Sequence, residues 1–242
     1  WIQLGSSFIG ETNALNFQKV AISSDGSRVV LGKPYWDHDN DDGGYNAGKA
    51  QMFEYTNGDW IQLGQDILGV ADEDNFGDGV SINSDGSRVA IGARKNDGNG
   101  AEAGHVRIFE YTNGDWIQLG SDIQGEAEGD HAHTVSMNSD GSRVAIGAHH
   151  NDVNGTSSGH VRIFEYINEN WTQVGQDIDG VSSHGYFGQS VSINSGGSIV
   201  AIGANGESDG TVRVYSLPVL FQPQTKEELQ TAVDLWVDDN AT

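Results

Sequence analysis

Trp60-Ile61-Gln62-Leu63-Gly64 is one copy of a pentapeptide that returns along this chain of 242 residues. The same five residues occupy positions 1–5 and 116–120, and Trp-Thr-Gln-Val-Gly occupies positions 171–175. Successive copies therefore begin 55 to 59 residues apart. Self-similarity at such a period is typical of an array in which each repeat is one supersecondary unit, such as a propeller blade.

A second motif marks the same turn in each repeat. Ser-Asp-Gly-Ser-Arg occupies residues 24–28, 84–88 and 139–143, and it becomes Ser-Gly-Gly-Ser-Ile at residues 195–199. The repeat thus carries a Gly-containing turn at a constant place, between two apolar runs.

Each repeat also contains four short alternating runs rich in Val, Ile, Phe and Tyr, which predict strands. In the second repeat these runs are Val80–Asn83, Arg88–Ala93, His105–Tyr111 and Trp116–Gly120. The turn Thr112-Asn113-Gly114-Asp115 suits a tight hairpin, since Asn and Gly tolerate positive φ. Four strands joined in this way predict one antiparallel blade.

We therefore predict an all-β fold over residues 1–217, a β-propeller of four four-stranded antiparallel blades. Trp1–Gly5 matches a lone fourth strand, whereas the last repeat stops after a third strand, Thr211–Ser216. Pairing of the two would close the ring and remove exposed strand edges. Two alternatives remain open: the first strand completes a neighbouring molecule's last blade, or the blades belong to a larger ring.

The composition changes after residue 217. Pro218 and Pro223 bracket a predicted linker over residues 218–224, and Thr225–Glu228 reads as a helix capping box. Apolar residues then recur at helical spacing, which predicts a C-terminal helix over residues 225–242. These residues are Leu229, Ala232, Val233 and Trp236.

The charge limits the partners of this chain. Twelve basic and 35 acidic residues give a formal charge of −23, which repels nucleic acid and anionic lipid surfaces. No apolar stretch is long enough to span a bilayer, so we expect neither nucleic-acid binding nor membrane insertion in this segment. There are no cysteines, which leaves the compartment open.

The loops between second and third strands differ from repeat to repeat, and the longest carries Tyr35, Trp36 and Tyr45. Loops on a rigid scaffold commonly carry function, so we predict that these aromatic residues contact a partner or a sugar. Asp37, Asp39 and Asp41 in the same loop resemble the alternating oxygen ligands of a calcium site, although the complete loop motif is absent.

Further acidic residues, Asp72, Glu73 and Asp74, follow in the next inter-blade loop and could add calcium ligands. Four histidines of the third repeat are expected to approach one another because their loops share a face: His131, His133, His149 and His150. A zinc or copper site is one interpretation of this group, and a cluster without metal is the other.

The recurring tryptophans Trp1, Trp60, Trp116 and Trp171 favour packing between blades over sugar stacking, because they recur in a strand. Three sequons predict glycosylation in a secreting eukaryote, at Asn154, Asn170 and Asn240. No nucleophile elbow or phosphate-binding loop is present, so we name no catalytic residue.

Phe76–Ile82 with Val89–Ala93, and Phe187–Val191 with Val200–Ala204, resemble the FG-GAP repeats of integrin-like propellers. The resemblance implies an extracellular propeller used for adhesion, often with calcium held in the first hairpin of a blade. That hairpin is only Asn83–Ser87 here, so the family's calcium site is not carried over. The Phe-Gly pair is also lost in the third repeat. Residues 225–242 resemble the start of BspA-like leucine-rich surface repeats.

The resulting hypothesis is a non-enzymatic structural or adhesive module of a larger extracellular or cell-surface assembly. Its partners would be other copies or neighbouring domains, and calcium is considered as a cofactor. The alternatives are a lectin-like propeller that binds glycans and an enzyme that cleaves them, which would need a pair of carboxylates.

Overall fold

The computed structural model describes residues 1–9, 18–37, 45–207 and 209–217. In this part of the chain the regular elements are all β-strands. The predicted linker over residues 218–224 and the predicted helix over residues 225–242 lie outside the described residues.

Eighteen strands follow one another in the described residues. They are β1 (Lys19–Ile22), β2 (Arg28–Lys33), β3 (Lys49–Thr56), β4 (Asp59–Gln62), β5 (Ile67–Leu68), β6 (Phe76–Ile82), β7 (Arg88–Ala93), β8 (His105–Thr112), β9 (Asp115–Gln118), β10 (Ile123–Gln124), β11 (Thr134–Met137), β12 (Arg143–Ala148), β13 (His160–Ile167), β14 (Asn170–Gln173), β15 (Ile178–Asp179), β16 (Phe187–Ile193), β17 (Ile199–Ala204) and β18 (Thr211–Ser216).

The strands form four antiparallel sheets, which we call blades 1 to 4. Blade 1 has the order β1-β2-β3-β4, and the short β5 continues the outer edge by pairing with the start of β3. Blade 2 (β6–β10) and blade 3 (β11–β15) repeat this pattern. Blade 4 has three strands, β16-β17-β18. The predicted all-β fold of antiparallel blades is therefore confirmed for the described residues.

Local sequence explains the hairpins. Asn113 and Gly114 have φ values of 55° and 98°, the left-handed conformation that a tight turn between β8 and β9 requires. In the first hairpin of the blade, Asp85 Oδ1 accepts hydrogen bonds from the Ser87 amide at 2.9 Å and from its hydroxyl at 2.6 Å. The Ser-Asp-Gly-Ser turn is thus closed by its own side chains.

Each blade buries its apolar faces against its neighbours. Val30 and Met52 of blade 1 pack against Ile91 and Phe109 of blade 2, and equivalent clusters join blades 2 and 3 and blades 3 and 4. Trp116 lies in the first of these clusters and donates its indole N–H to the carbonyl of Leu63, at 2.8 Å, in the preceding blade. Trp171 repeats this bond to Leu119.

Arginines of the repeated turn also join neighbouring blades. Arg88 pairs with Glu110 of its own blade at 2.8 Å and donates to the carbonyl of Gly141 in blade 3 at 3.2 Å. Arg28 and Arg143 make the same two contacts. In blade 4 the position is occupied by Ile199, which is exposed. Blades 1, 2 and 3 therefore each contact the following blade through this arginine.

The predicted ring closure is not confirmed. Trp1–Gly5 forms no strand, and among the described residues β17 alone pairs with β18. The segment instead lies on blade 1, where the Leu4 carbonyl accepts the indole N–H of Trp60 at 2.9 Å. Packing joins each blade to the next from blade 1 to blade 4, but no comparable packing between described residues joins blade 4 to blade 1.

We expect Trp116→Ala to lower the free energy of unfolding by about 3–5 kcal/mol, because it removes a buried aromatic side chain from the interface of blades 1 and 2. Trp60→Ala is the matched control and should cost less, since Trp60 is only half-buried. Urea denaturation followed by circular dichroism measures both. Equal losses would contradict the role of burial between blades.

Candidate functional surfaces

The aromatic residues of the longest loop do not present an open stacking platform. The side chains of Tyr35 and Trp36 are half-buried, and the Lys49 ammonium lies 4.3 Å from the centre of the Trp36 ring. Tyr45 is exposed. Of the three predicted contact residues, Tyr45 therefore offers the most surface to a partner.

The calcium prediction stays a prediction. Asp37 is exposed, and its Oδ1 accepts a hydrogen bond of 2.5 Å from the backbone amide of Asn46. Asp39 and Asp41 lie outside the described residues. Asp37 therefore closes its own loop, whatever the position of the other two carboxylates.

The second acidic group is divided by burial. Asp72 and Glu73 are exposed, whereas Asp74 is buried and accepts hydrogen bonds from the Asn96 amide at 3.1 and 3.2 Å. Burial raises the pKa of Asp74. Asp130 and Asn151 form the same pair one blade later. Each pair joins an inter-blade loop to the next variable loop by hydrogen bonds, so the buried aspartates have a structural role.

A cavity of about 290 Å³ lies where the inner strands of the four blades meet. Its lining includes Lys19 of β1, Asp78 of β6, His133 before β11 and Gln189 of β16. His149, which follows β12, lines it as well. Two of the third-repeat histidines, His133 and His149, therefore line the cavity at the centre of the array.

The structure brings the four histidines of the third repeat together. His149 is the central member, with its ring centroid 4.4 Å from that of His150, 5.5 Å from that of His133 and 6.4 Å from that of His131. Burial and the neighbouring imidazoles lower the pKa of His149 to about 3, and burial lowers the pKa of His133 to about 4. Both rings are therefore neutral near pH 7.

Another potential ligand group is formed by blade 3 and the loop that precedes it. Glu126, His160 and Asp177 place one potential ligand atom each within 4.8 Å of the others, the only such trio in the described residues. Arg162 Nη1 lies 3.4 Å from Glu126 Oε1. A guanidinium at that distance already compensates the carboxylate, which disfavours a cation.

Blade 4 leaves uncovered the face that every other blade buries against its successor. Val212 and Val214 of β18 are 70% and 65% exposed. At the equivalent positions the apolar residues of blades 1 to 3 are at most 2% exposed: Ala50, Met52, Val106, Ile108, Val161 and Ile163. A groove beside this face, lined in part by Gly203 and Val212, adds about 230 Å³ of open space.

Blade 1 leaves uncovered part of the opposite face. Val20 and Ile22 of β1 are exposed, whereas Val80 and Ile82, which pair in the same way in blade 2, pack against blade 1. A groove of about 340 Å³ follows beside this face. We call these two uncovered surfaces the blade 4 face and the blade 1 face.

Two of the predicted glycosylation sites lie on the surface. Asn154 and Asn170 are exposed, although the Asn154 amide donates a hydrogen bond of 2.8 Å to the carbonyl of Gly180. Asn170 begins β14, and Asn240 lies outside the described residues.

No protein-family model matches the sequence, and no curated protein does. Solved structures of low identity are similar in fold. Kluyveromyces lactis Hsv2 is 12% identical, with a TM-score of 0.54, over 87% of this chain and 54% of that chain. Kuenenia stuttgartiensis hydrazine synthase is 16% identical, with a TM-score of 0.53, over 86% of this chain and 60% of that chain.

The periplasmic gluconolactonase PpgL of Pseudomonas aeruginosa is 14% identical, with a TM-score of 0.51, over 84% of this chain and 58% of that chain. The chain thus spans less than two thirds of each of these three structures. The likeness supports a propeller-like arrangement of the blades. At such identities it shows the fold alone.

Sequence reasoning missed the uncovered faces and the arginine contacts between blades. A signal for the arginine contacts was present, since Arg ends the repeated turn in three blades and Ile199 replaces it in the fourth. The uncovered faces had no such signal, because Val212 and Val214 follow the same alternation as buried residues of other blades.

We expect stability to fall as the pH is lowered from 6.5 towards 4, in part because of His105. Burial depresses the pKa of His105 to about 4 in the folded state, below the ordinary value of 6.5. The unfolded chain therefore binds a proton that the folded chain rejects, so the contribution is present above pH 6.5 and is lost as the pH falls. Its upper limit is about 3 kcal/mol.

His105→Thr introduces the residue found at the equivalent position of blade 4, Thr211. Between pH 6.5 and 5 the free energy of unfolding of this variant should depend less on pH than that of the original chain. Replacing the exposed His184 by Thr is the control and should leave the slope unchanged. Identical slopes for all three proteins would contradict the assignment.

Proposed function

We propose that this chain is a non-enzymatic structural module of a larger assembly, in which the blade 4 face of one copy packs against the blade 1 face of a second copy. The observation that carries this proposal is the exposure of Val212 and Val214, at positions where the other blades are buried. The variable loops remain available for further partners on a separate surface.

The blade 4 face and the blade 1 face are complementary because they correspond to the two surfaces that pack together wherever one blade meets the next. Between blades 1 and 2, apolar residues of the third strand meet those of the following blade's inner strands. Val212 and Val214 supply the first kind of surface, and Val20 and Ile22 supply the second. Full burial of each such side chain contributes about 1.5–3 kcal/mol, which favours association.

The strand edges support the same arrangement. Trp1–Gly5 lies on blade 1 through the bond from Trp60 to Leu4, just as the fourth strands of blades 1 and 2 lie on the blades that follow them. Within the part of the chain that the structure describes, blade 4 has no fourth strand. If blade 4 of one copy docks on blade 1 of a second copy, it would therefore contact that copy's Trp1–Gly5 segment, which can supply the fourth strand.

The register of that composite blade follows from the other blades. Phe109 pairs with Gln118 and Glu110 with Ile117 in blade 2. The equivalent pairs would be Tyr215 with Gln3 and Ser216 with Ile2 of the second copy. Such contacts are heterologous, so they produce a closed ring if the rotation closes and a filament if it does not.

An extracellular setting completes the proposal. Asn154 and Asn170 are exposed sequons, which would accept glycans in a secreting eukaryote. Within the described residues, no helix has the length and apolar character needed to cross a membrane. The high negative charge keeps single copies apart at low salt, so association should strengthen as salt screens it.

Sedimentation velocity of the 25.9 kDa chain at increasing concentration tests the proposal. We expect dimers or longer species that Val214→Glu and Val20→Glu each weaken by about 10- to 100-fold, because each buries a charge in an apolar contact. Ile117→Glu, at an exposed apolar residue away from both faces, is the matched control and should associate normally.

Mixing the two weakened variants discriminates between contact types. Each retains one intact face, so a head-to-tail contact predicts that the mixture forms a species of two chains, whereas self-packing of one face does not. Circular dichroism verifies that the variants are folded. A chain that stays monomeric at all concentrations and salt levels would overturn the proposal, and closure within one chain would then be the better account.

A further inference from the structure

Three of the third-repeat histidines have rings close enough to approach one ion. The ring centroids of His149 and His150 are 4.4 Å apart, those of His131 and His150 4.6 Å, and those of His131 and His149 6.4 Å. Two imidazoles bound tetrahedrally to one zinc ion through Zn–N bonds of about 2.0–2.1 Å place their centroids roughly 5 Å apart. The two separations that involve His150 lie near this value, whereas the separation of His131 and His149 exceeds it.

Two of these rings are oriented by a partner on one nitrogen. Nε2 of His131 lies 2.9 Å from Glu102 Oε2, and Nδ1 of His150 lies 3.2 Å from Ser157 Oγ. Metal-binding histidines commonly use one ring nitrogen in this way, which fixes the tautomer and leaves the other nitrogen as the ligand. The Glu102–His131 pair has the carboxylate partner that is frequent in zinc sites.

Two nitrogens of the cluster are left without a partner. Nδ1 of His131 and Nδ1 of His149 are buried and accept or donate no hydrogen bond. A buried polar atom in this state costs free energy, and such atoms in folded proteins generally have an explanation. A metal ion bound to these nitrogens would satisfy both.

The surroundings allow a cation to reach the cluster. His149 lines the central cavity together with Asp78, whose carboxylate lies 3.1 Å from Arg94 Nε. That ion pair compensates the nearest guanidinium charge.

We infer that His131, His149 and His150 bind a divalent first-row transition metal ion, for which zinc is the test ion. Imidazole nitrogen suits this class of ion better than calcium or magnesium, which prefer oxygen ligands. The three ligand atoms do not yet lie within 4.8 Å of one another, so at least one ring turns about its side-chain torsions when the ion binds.

Isothermal titration of the EDTA-treated, dialysed chain with zinc chloride tests this inference. We expect saturable binding of one ion per chain, accompanied by a higher melting temperature. His149→Ala and His150→Ala should each weaken binding by at least about 10-fold, and Glu102→Gln should weaken it by about 10- to 100-fold through loss of the orienting carboxylate.

Two control variants locate the ion. His184→Ala removes an exposed histidine whose ring centroid lies 6.4 Å from that of Tyr186, and it should leave zinc affinity unchanged. Glu126→Gln alters the acidic group of blade 3 and should also have no effect. Absorption of bound Co²⁺ in the visible range provides a second readout of imidazole ligation in each variant.

The inference fails if no saturable binding is observed. It also fails if binding survives both His149→Ala and His150→Ala, or if Glu126→Gln abolishes it. Circular dichroism of each metal-free variant separates loss of a ligand from loss of the fold. None of these measurements depends on self-association, so the inference and the proposed assembly can fail independently.

Discussion

Burial of both faces of each blade is the constraint on which the rest of this structure depends. A sheet such as β6–β10 carries apolar residues on both sides, and neither side can be buried within the sheet itself. Each blade therefore requires a neighbour before it and another after it. Trp116 strengthens this dependence, because its indole satisfies a carbonyl of the preceding blade while its ring fills the interface.

The same constraint explains where chemical variety is tolerated. Residues at the interfaces repeat from blade to blade, whereas the loops beyond β2, β7 and β12 differ in sequence. His149 and His150 occupy the positions of Arg94 and Lys95 of the preceding blade. A histidine cluster could therefore arise in one blade without disturbing the contacts that hold the array together.

Much of the architecture could be predicted from local patterns. The predicted strands Arg88–Ala93 and Thr211–Ser216 coincide with observed strands, because alternation and turn residues act over a few positions. The approach of the third-repeat histidines followed from their loops sharing a face. Their distances, their hydrogen-bond partners and the half-burial of Trp36 depend on contacts between segments far apart in the chain, which no local pattern contains.

The sequence by itself determined the repeat, the strands, the turns and the antiparallel blades, since each arises from neighbours along the chain. Tertiary structure alone decided whether the blades meet in a ring. Side-chain packing across each interface joins successive blades, and no comparable packing between described residues joins blade 4 to blade 1. Val214 and its buried counterpart Ile108 occupy equivalent positions in their repeats. Only the presence or absence of a following blade distinguishes the exposed residue from the buried one.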